Sequence, residues 1–120
     1  MGNIVNSAEY DYAGRRKLID SLCEKYGFIK KRVIGRSCGG RDITALKIGA
    51  GEEYCLIAAA FHGSERITSV VLLMFIEKLC GAIAEGGDIK GIRAARALNG
   101  KGVIFVPCVN PDGCEISLRG

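Results

Sequence analysis

The residues best suited to chemistry lie in two short segments of the sequence. The first is Phe61-His62-Gly63-Ser64-Glu65, which contains the only histidine of the chain. An imidazole nitrogen and a carboxylate oxygen both suit Zn²⁺, and a His-x-x-Glu spacing between a strand and a helix would bring them to one point. The same spacing also suits a polar His62 beside a Glu65 that only favours the N-terminal dipole of a helix. The spacing alone leaves both interpretations open.

The second segment is Asn110-Pro111-Asp112-Gly113, whose composition predicts a turn. A metal-bound histidine normally donates its other ring N–H to an acceptor that orients it. Asp112 follows an apolar run and would lie at the end of a neighbouring strand. We therefore expect Asp112 to be the acceptor behind His62.

The elements that position these segments follow from the spacing of apolar residues. Residues 54–61 and 103–109 are unbroken apolar runs, typical of parallel strands buried on both faces. Residues 66–80 repeat apolar positions at intervals of three and four, which predicts a helix that Gly81 ends. Ligands of open α/β sheets bind beyond the carboxyl ends of the strands, where both segments are expected to lie.

The N-terminal part of the chain predicts a helix and a hairpin. Residues 11–26 are amphipathic at the helical period, with Asp11 as the N-cap. Residues 29–36 and 42–49 predict two antiparallel strands, and the glycines of residues 37–41 suit the turn between them.

The remaining segments complete the predicted architecture. Residues 89–98 suggest a short helix, and residues 114–120 the start of an extended segment. The fold class expected is α/β, with a mixed sheet that has an N-terminal antiparallel hairpin and parallel core strands flanked by helices. Residues 1–120 are expected to form a single domain.

Composition and charge exclude several classes of protein. The chain is 48% hydrophobic with a net charge of +4, which is too apolar for a disordered chain, and no apolar run reaches the ~20 residues of a membrane span. The basic residues near 30–32 suit a solvated edge strand, so no nucleic acid partner is expected. Residues 1–10 lack the features of a secretory signal. A cytoplasmic location and six free thiols are therefore expected.

Three motifs in order along the chain resemble the zinc carboxypeptidase family, the M14 metallopeptidases. They are Ile34-Gly35-Arg36-Ser37 with Gly40-Arg41-Asp42-Ile43, then Phe61-His62-Gly63-Ser64-Glu65-Arg66-Ile67-Thr68, then Val106-Pro107-Cys108-Val109-Asn110-Pro111-Asp112-Gly113. The resemblance implies a metallocarboxypeptidase-like hydrolase with a Zn²⁺ cofactor, a peptide substrate, and His62 and Glu65 as two of the zinc ligands. The segment 110–120 is more similar to bacterial members that trim cell-wall peptides at γ-D-glutamyl-diamino-acid bonds.

The sequence departs from the family pattern in one respect. The family takes its third ligand from a histidine further downstream, and its catalytic glutamate follows later still, whereas these residues contain no second histidine. We therefore expect the N-terminal portion of a metallocarboxypeptidase-like catalytic domain, without catalytic residues of its own and inactive alone. Strand 103–109 is then expected to be an uncovered sheet edge through which the chain self-associates. The alternative is a catalytically dead binding module that keeps the fold.

Overall fold

The computed structural model describes Val5, residues 10–62 and residues 66–119. The fold contains a four-stranded mixed sheet with helices, and a two-stranded ribbon follows the longest helix. The elements in chain order are α1 (Tyr12–Lys25), β1 (Lys30–Arg36), β2 (Asp42–Gly49), β3 (Glu53–Ala58), α2 (Arg66–Glu85), β4 (Asp88–Ile89), β5 (Ile92–Arg93), α3 (Ala94–Ala97), β6 (Lys101–Val106) and α4 (Pro111–Arg119).

The strand order of the main sheet is β1-β2-β6-β3. Strand β2 is antiparallel to both β1 and β6, and β3 is parallel to β6. The predicted mixed sheet, with its antiparallel hairpin and its parallel pair, is confirmed.

Two predictions about strand position are wrong. Strand β6 is central rather than an uncovered edge, because β2 pairs along its other side, with Leu46 opposite Phe105. Strand β3 is one of the two edges of this sheet, whereas its sequence predicts a strand buried on both faces. All but one of its residues are exposed, and Leu56 is 66% exposed.

Helix α1 forms as its sequence predicts. The Asp11 side chain accepts a hydrogen bond from the Gly14 amide at 2.7 Å and so caps the first turn. Leu18, Ile19 and Leu22 face the core, which makes burial of one apolar stripe the reason that this segment is helical.

Helix α2 continues past Gly81 to Glu85, so the predicted end at Gly81 is wrong. A glycine inside a helix costs only about 1 kcal/mol, which tertiary packing of the apolar face outweighs. A Cβ at residue 81 would lie 3.4 Å from the Tyr26 hydroxyl, so the glycine lets the end of α1 approach closely. By length and composition Ile67–Glu85 would suffice to cross a membrane. Core helices of soluble domains pass the same test, and α2 packs against the sheet.

The core lies between the sheet and helices α1 and α2. Its fully buried side chains come from both layers and include Leu22, Leu46, Ile48, Leu73, Ile76, Cys80 and Phe105. Phe75 on α2 meets the Phe105 ring edge-on, with centroids 6.1 Å apart. Burying each large apolar side chain contributes about 1.5–3 kcal/mol, so this interface fixes α2 over the sheet.

The helix predicted for residues 89–98 is only partly correct. Ile89 and Ile92 pair as a short ribbon, and the helix shrinks to Ala94–Ala97. The cause is a tight turn in which Lys90 and Gly91 both have positive φ, 50° and 84°. Two such residues in succession suit a two-residue hairpin loop.

The described residues from Pro111 to Arg119 are helical, so the extended segment predicted for residues 114–120 is wrong. Residues 110–113 are not an isolated turn but the start of α4. The Asn110 side-chain oxygen accepts from the Gly113 amide at 2.9 Å, and Pro111 is the first helical residue. Asparagine at the N-cap and proline at the next position form a helix-start signal that the turn-like composition concealed.

Candidate metal site

The two candidate loops lie side by side beyond the carboxyl ends of β3 and β6. The Ala59 amide donates to the Val106 carbonyl at 3.0 Å, the Val109 amide to Ala59 at 2.9 Å, and the Asn110 amide to Ala60 at 3.1 Å. This ladder continues the parallel pairing past the strands. The described part of the first segment, Phe61 and His62, therefore lies beside the second segment at the carboxyl ends of the strands, as predicted.

A change of backbone direction at Ala60 brings the chain to His62. Ala60 has φ of 58°, in the left-handed region that residues other than glycine seldom occupy. Its amide donates to the Thr68 hydroxyl oxygen at 2.9 Å, which ties the loop to the first turn of α2. Phe61 and His62 then reach the surface, where both are exposed. Backbone strain held by a side-chain hydrogen bond is a common feature of functional loops.

Asn110 joins the two loops through its side chain. Its Nδ2 donates to the Phe61 carbonyl oxygen at 3.1 Å while its Oδ1 caps α4. A Cβ at residue 113 would lie 2.5 Å from Asn110 Nδ2, so only glycine leaves room for this amide. One asparagine therefore fixes both the start of α4 and the residue before His62.

Asp112 holds the β1–β2 turn against α4. Its Oδ1 accepts from Ser37 Oγ at 2.7 Å and from Arg41 Nη1 at 2.9 Å, and its Oδ2 accepts from the Gly39 amide at 2.8 Å. These hydrogen bonds, led by that from Ser37, lower the pKa of the Asp112 carboxyl. A Cβ at residue 39 would lie 2.7 Å from Asp112 Oδ1. The hairpin turn therefore docks on the first turn of α4.

Sequence reasoning missed this contact. Ser37 and Asp112 are 75 residues apart, and no local periodicity links them. The sequence feature that could have indicated the contact is the presence of both a Ser-x-x-Gly-Arg turn and an Asn-Pro-Asp-Gly segment, since each is rich in hydrogen-bonding groups. The hydrogen bonds described for Asp112 all go to this turn, and its predicted role as acceptor for His62 stays a prediction.

The structure describes one of the two predicted metal ligands. His62 lies where expected, at the β3–α2 junction, and its imidazole is chemically suited to zinc. Glu65 lies outside the described residues, so its place as a ligand stays a prediction. Within the described part of the chain, no three His, Cys, Asp or Glu residues cluster in a way that would hold a metal. The described residues thus fit one ligand position, not a complete zinc site.

Two thiols lie beneath the loops. Cys108 Sγ and Cys114 Sγ are 3.6 Å apart and pack with Ala60 in a small buried cluster. Burial raises the pKa of the Cys108 thiol to about 12, so it is neutral near pH 7 and packs as a small apolar group. None of the six cysteines is in a disulfide in this structure, and Cys55 is exposed with β3 rather than buried.

Comparison with known proteins decides the family. The family model for zinc carboxypeptidases matches residues 16–119. The chain belongs to the zinc carboxypeptidase family. It is 34% identical over 115 residues to the uncharacterized protein YqgT of Bacillus subtilis, and this match covers 92% of the chain and 30% of that protein. It is 30% identical over 118 residues to gamma-D-glutamyl-L-diamino acid endopeptidase 1 of Lysinibacillus sphaericus, covering 98% and 30%.

Solved structures support the same fold. Thrombin activatable fibrinolysis inhibitor superimposes with a TM-score of 0.77 at 20% identity, over 92% of this chain and 27% of that one. The chain spans about 30% of the length of the two curated relatives named above. The predicted α/β architecture is confirmed. Membership of this family supports a hydrolase and implies zinc as its metal.

Proposed function

We propose that these residues form the N-terminal part of a zinc-dependent peptidase of the carboxypeptidase type. The observation that carries the proposal is the hydrogen bond from Asn110 Nδ2 to the Phe61 carbonyl oxygen. This bond holds the residue before His62 beyond the carboxyl ends of the strands, where ligands bind in this class of fold. His62 and Glu65 would each hold the zinc through one side chain. When bound, zinc supplies a Lewis acid for the scissile carbonyl and lowers the pKa of a water molecule.

The rest of the site would come from polypeptide outside these 120 residues. A catalytic zinc uses three protein ligands and an open position, and the sequence contains one histidine. A general base is also needed and contributes roughly 10²–10⁴ in rate. The chain alone is therefore proposed to bind zinc weakly and to lack peptidase activity.

The surface around β3 supports this proposal. The opposite edge, β1, carries Lys30, Lys31 and Arg32 and a bulge after Val33, which are features that protect a solvent-facing edge. The side chains of β3 lack such protection between its ends. Both β3 and α2 carry exposed apolar groups, and they are Tyr54, Leu56 and Ile57 on β3 and Ile67, Val71, Met74 and Phe75 on α2. These groups would be covered either by further polypeptide or, through self-association, by a second copy.

The proposed substrate is a peptide cleaved near its C-terminus or at a γ-D-glutamyl-diamino-acid bond. The second alternative is favoured by the 30% identity to the gamma-D-glutamyl-L-diamino acid endopeptidase of Lysinibacillus sphaericus. In the described structure the Phe61-His62 loop is exposed, which leaves it accessible to a peptide.

A chimera tests the proposed activity. Residues 1–120 are joined to the remaining part of the Lysinibacillus sphaericus endopeptidase and assayed with γ-D-glutamyl and ordinary C-terminal peptides. We expect hydrolysis that a chelator abolishes and that His62→Ala removes, with Lys17→Ala as an active control. A folded chimera that binds zinc but has no turnover, while the parent enzyme is active, would contradict the proposal.

A binding module that keeps the fold without catalysis is the second candidate. The single histidine favours it. It predicts that the purified protein holds no zinc even when the rest of a carboxypeptidase domain is supplied. The zinc content of the chimera, measured by atomic emission, distinguishes the two candidates.

A further inference from the structure

Arg15 is a buried cation without a counter-ion among the described residues. It lies in α1 and is 5% exposed. Its Nη1 donates to the Tyr10 carbonyl oxygen at a long 3.4 Å, and its Nη2 has no hydrogen-bond partner in the described structure. No described carboxylate forms an ion pair with it. Because arginine cannot lose its proton in proteins, burial without a partner is costly.

A small cavity lies beside this guanidinium. It has a volume of about 20 Å³ and is formed between α1, β2 and the start of α4. Polar residues in its wall include Tyr12, Arg15, Arg16, Asp42 and Thr44. A cavity of this size holds one water molecule or one monatomic ion.

The wall of the cavity offers mainly donors. The Tyr12 hydroxyl oxygen accepts from the Asp42 amide at 2.8 Å, so its proton is directed to another acceptor. Arg16 adds a second guanidinium, 5.6 Å from the centre of the Tyr12 ring. The Thr44 hydroxyl adds a further donor. The carboxylate in the wall, Asp42, pairs with Arg36 at 3.2 Å.

The carboxylates that lie near Arg15 in sequence, or that contact α1, accept hydrogen bonds from other groups. Asp11 caps α1 by accepting from Gly14 at 2.7 Å, and Glu115 Oε1 accepts from the Tyr12 amide. The first turn of α1 contains no acidic residue, and its positive dipole end adds to the charge of Arg15. The unpartnered Nη2 of Arg15 and the guanidinium of Arg16 in the cavity wall therefore favour an anion here.

We propose that this cavity binds one small monovalent anion of halide size, which serves as the counter-ion of Arg15. The site is independent of the zinc proposal because His62 does not contribute to it. Chloride is the probe, since it is monatomic and fits where a carboxylate or sulfate would not.

Chloride binding is measured by the excess ³⁵Cl NMR line width of the 120-residue chain during a titration with sodium chloride. We expect excess broadening for the wild type that falls to the buffer value in Arg15→Met. Lys17→Met removes the same charge from an exposed position of the same helix and is expected to keep the broadening. Thr44→Val provides a second variant with reduced broadening, which serves if Arg15→Met does not fold.

Diffraction gives an independent readout. A wild-type crystal soaked in sodium bromide is expected to show an anomalous peak within about 3.5 Å of the Arg15 guanidinium. Broadening that is equal in the wild type and in Arg15→Met, or a cavity that holds only water in bromide, would overturn the proposal. In that case a water molecule in the cavity would be enough to accept the hydrogen bond of the guanidinium.

Discussion

Asn110 and Phe61 are 49 residues apart in the chain and are joined by a 3.1 Å hydrogen bond from a side-chain amide to a main-chain carbonyl. The same asparagine begins α4 through its other side-chain atom. Because His62 directly follows Phe61, the position of the proposed zinc ligand depends on how α4 starts. The two functions of Asn110 can be separated, since aspartate keeps the capping oxygen and lacks the donor.

Asn110→Ala and Asn110→Asp therefore have different expected effects. The alanine variant loses the cap and the link, and we expect the free energy of unfolding to fall by about 1–2 kcal/mol. The aspartate variant keeps most of this stability but loses the bond to Phe61. Hydrogen exchange of the peptide that contains Phe61 and His62 is expected to be faster in both. Wild-type exchange there in Asn110→Asp would contradict the link.

The carboxyl group of Asp112 is expected to make the free energy of unfolding decrease at acid pH, and this decrease is called the acid limb below. Its pKa is lowered in the folded chain, so its contribution is complete above the pKa of the unfolded state and is lost as the pH falls through the folded pKa. We expect Asp112→Asn to be less stable than the wild type near pH 7 and to lose less stability as the pH falls below about 4.

Thermal unfolding between pH 7 and pH 2 measures this difference. Asp20→Asn is the control, because it alters only an exposed ion pair with Lys31 that is worth little. The control is expected to keep the acid limb of the wild type. An acid limb in Asp112→Asn that matches the wild type would show that the contacts with Ser37, Gly39 and Arg41 do not stabilise the fold.

The two sheet edges predict opposite responses to an added charge. Leu56→Lys places a cation on the unprotected edge β3, and we expect it to shift an associated chain towards the monomer, since charged side chains block edge-to-edge pairing. Val33→Lys adds the same charge to β1, which is already basic, and is expected to change little. Light scattering measures the mass in solution and so shows whether each variant still associates. Equal masses for the wild type and Leu56→Lys would rule out β3 as the contact.

Adjacent residues of α2 test where the core lies. Leu73 is fully buried and Met74 is 43% exposed. We expect Leu73→Ala to cost about 2–5 kcal/mol through lost burial and a cavity, and Met74→Ala about 0.5 kcal/mol. Denaturant unfolding measures both. A larger loss for Met74→Ala would mean that the exposed face of α2 is covered by another chain in solution.

The sequence was sufficient for the elements whose apolar pattern is local and regular. The capped helix from Asp11 and the basic hairpin follow from periodicity of 3.6 and of two residues, and the parallel pair follows from two unbroken apolar runs. The exposure of β3 did not follow, because an apolar run such as 54–61 is the same whether its edge is covered or open. Its neighbours in space, not its composition, decide that.

The errors have related physical causes. Gly81 predicts the end of a helix, yet packing against the core outweighs its small helix penalty. Asn110-Pro111 predicts a turn as readily as a helix start, because both residues favour both structures. The contact between Asp112 and Ser37 depends on tertiary geometry that no local pattern encodes. The family motifs nevertheless located the loops of the candidate site, since motif order does not depend on burial.

Zinc affinity of the 120-residue chain tests the central proposal most directly. Competition with a chromophoric chelator is measured for the wild type, His62→Gln, Glu65→Gln and the exposed control Glu24→Gln. We expect one weakly bound zinc in the wild type and in Glu24→Gln, and a loss of binding in both His62→Gln and Glu65→Gln. Unchanged zinc affinity in His62→Gln would contradict the proposal that this loop holds the metal.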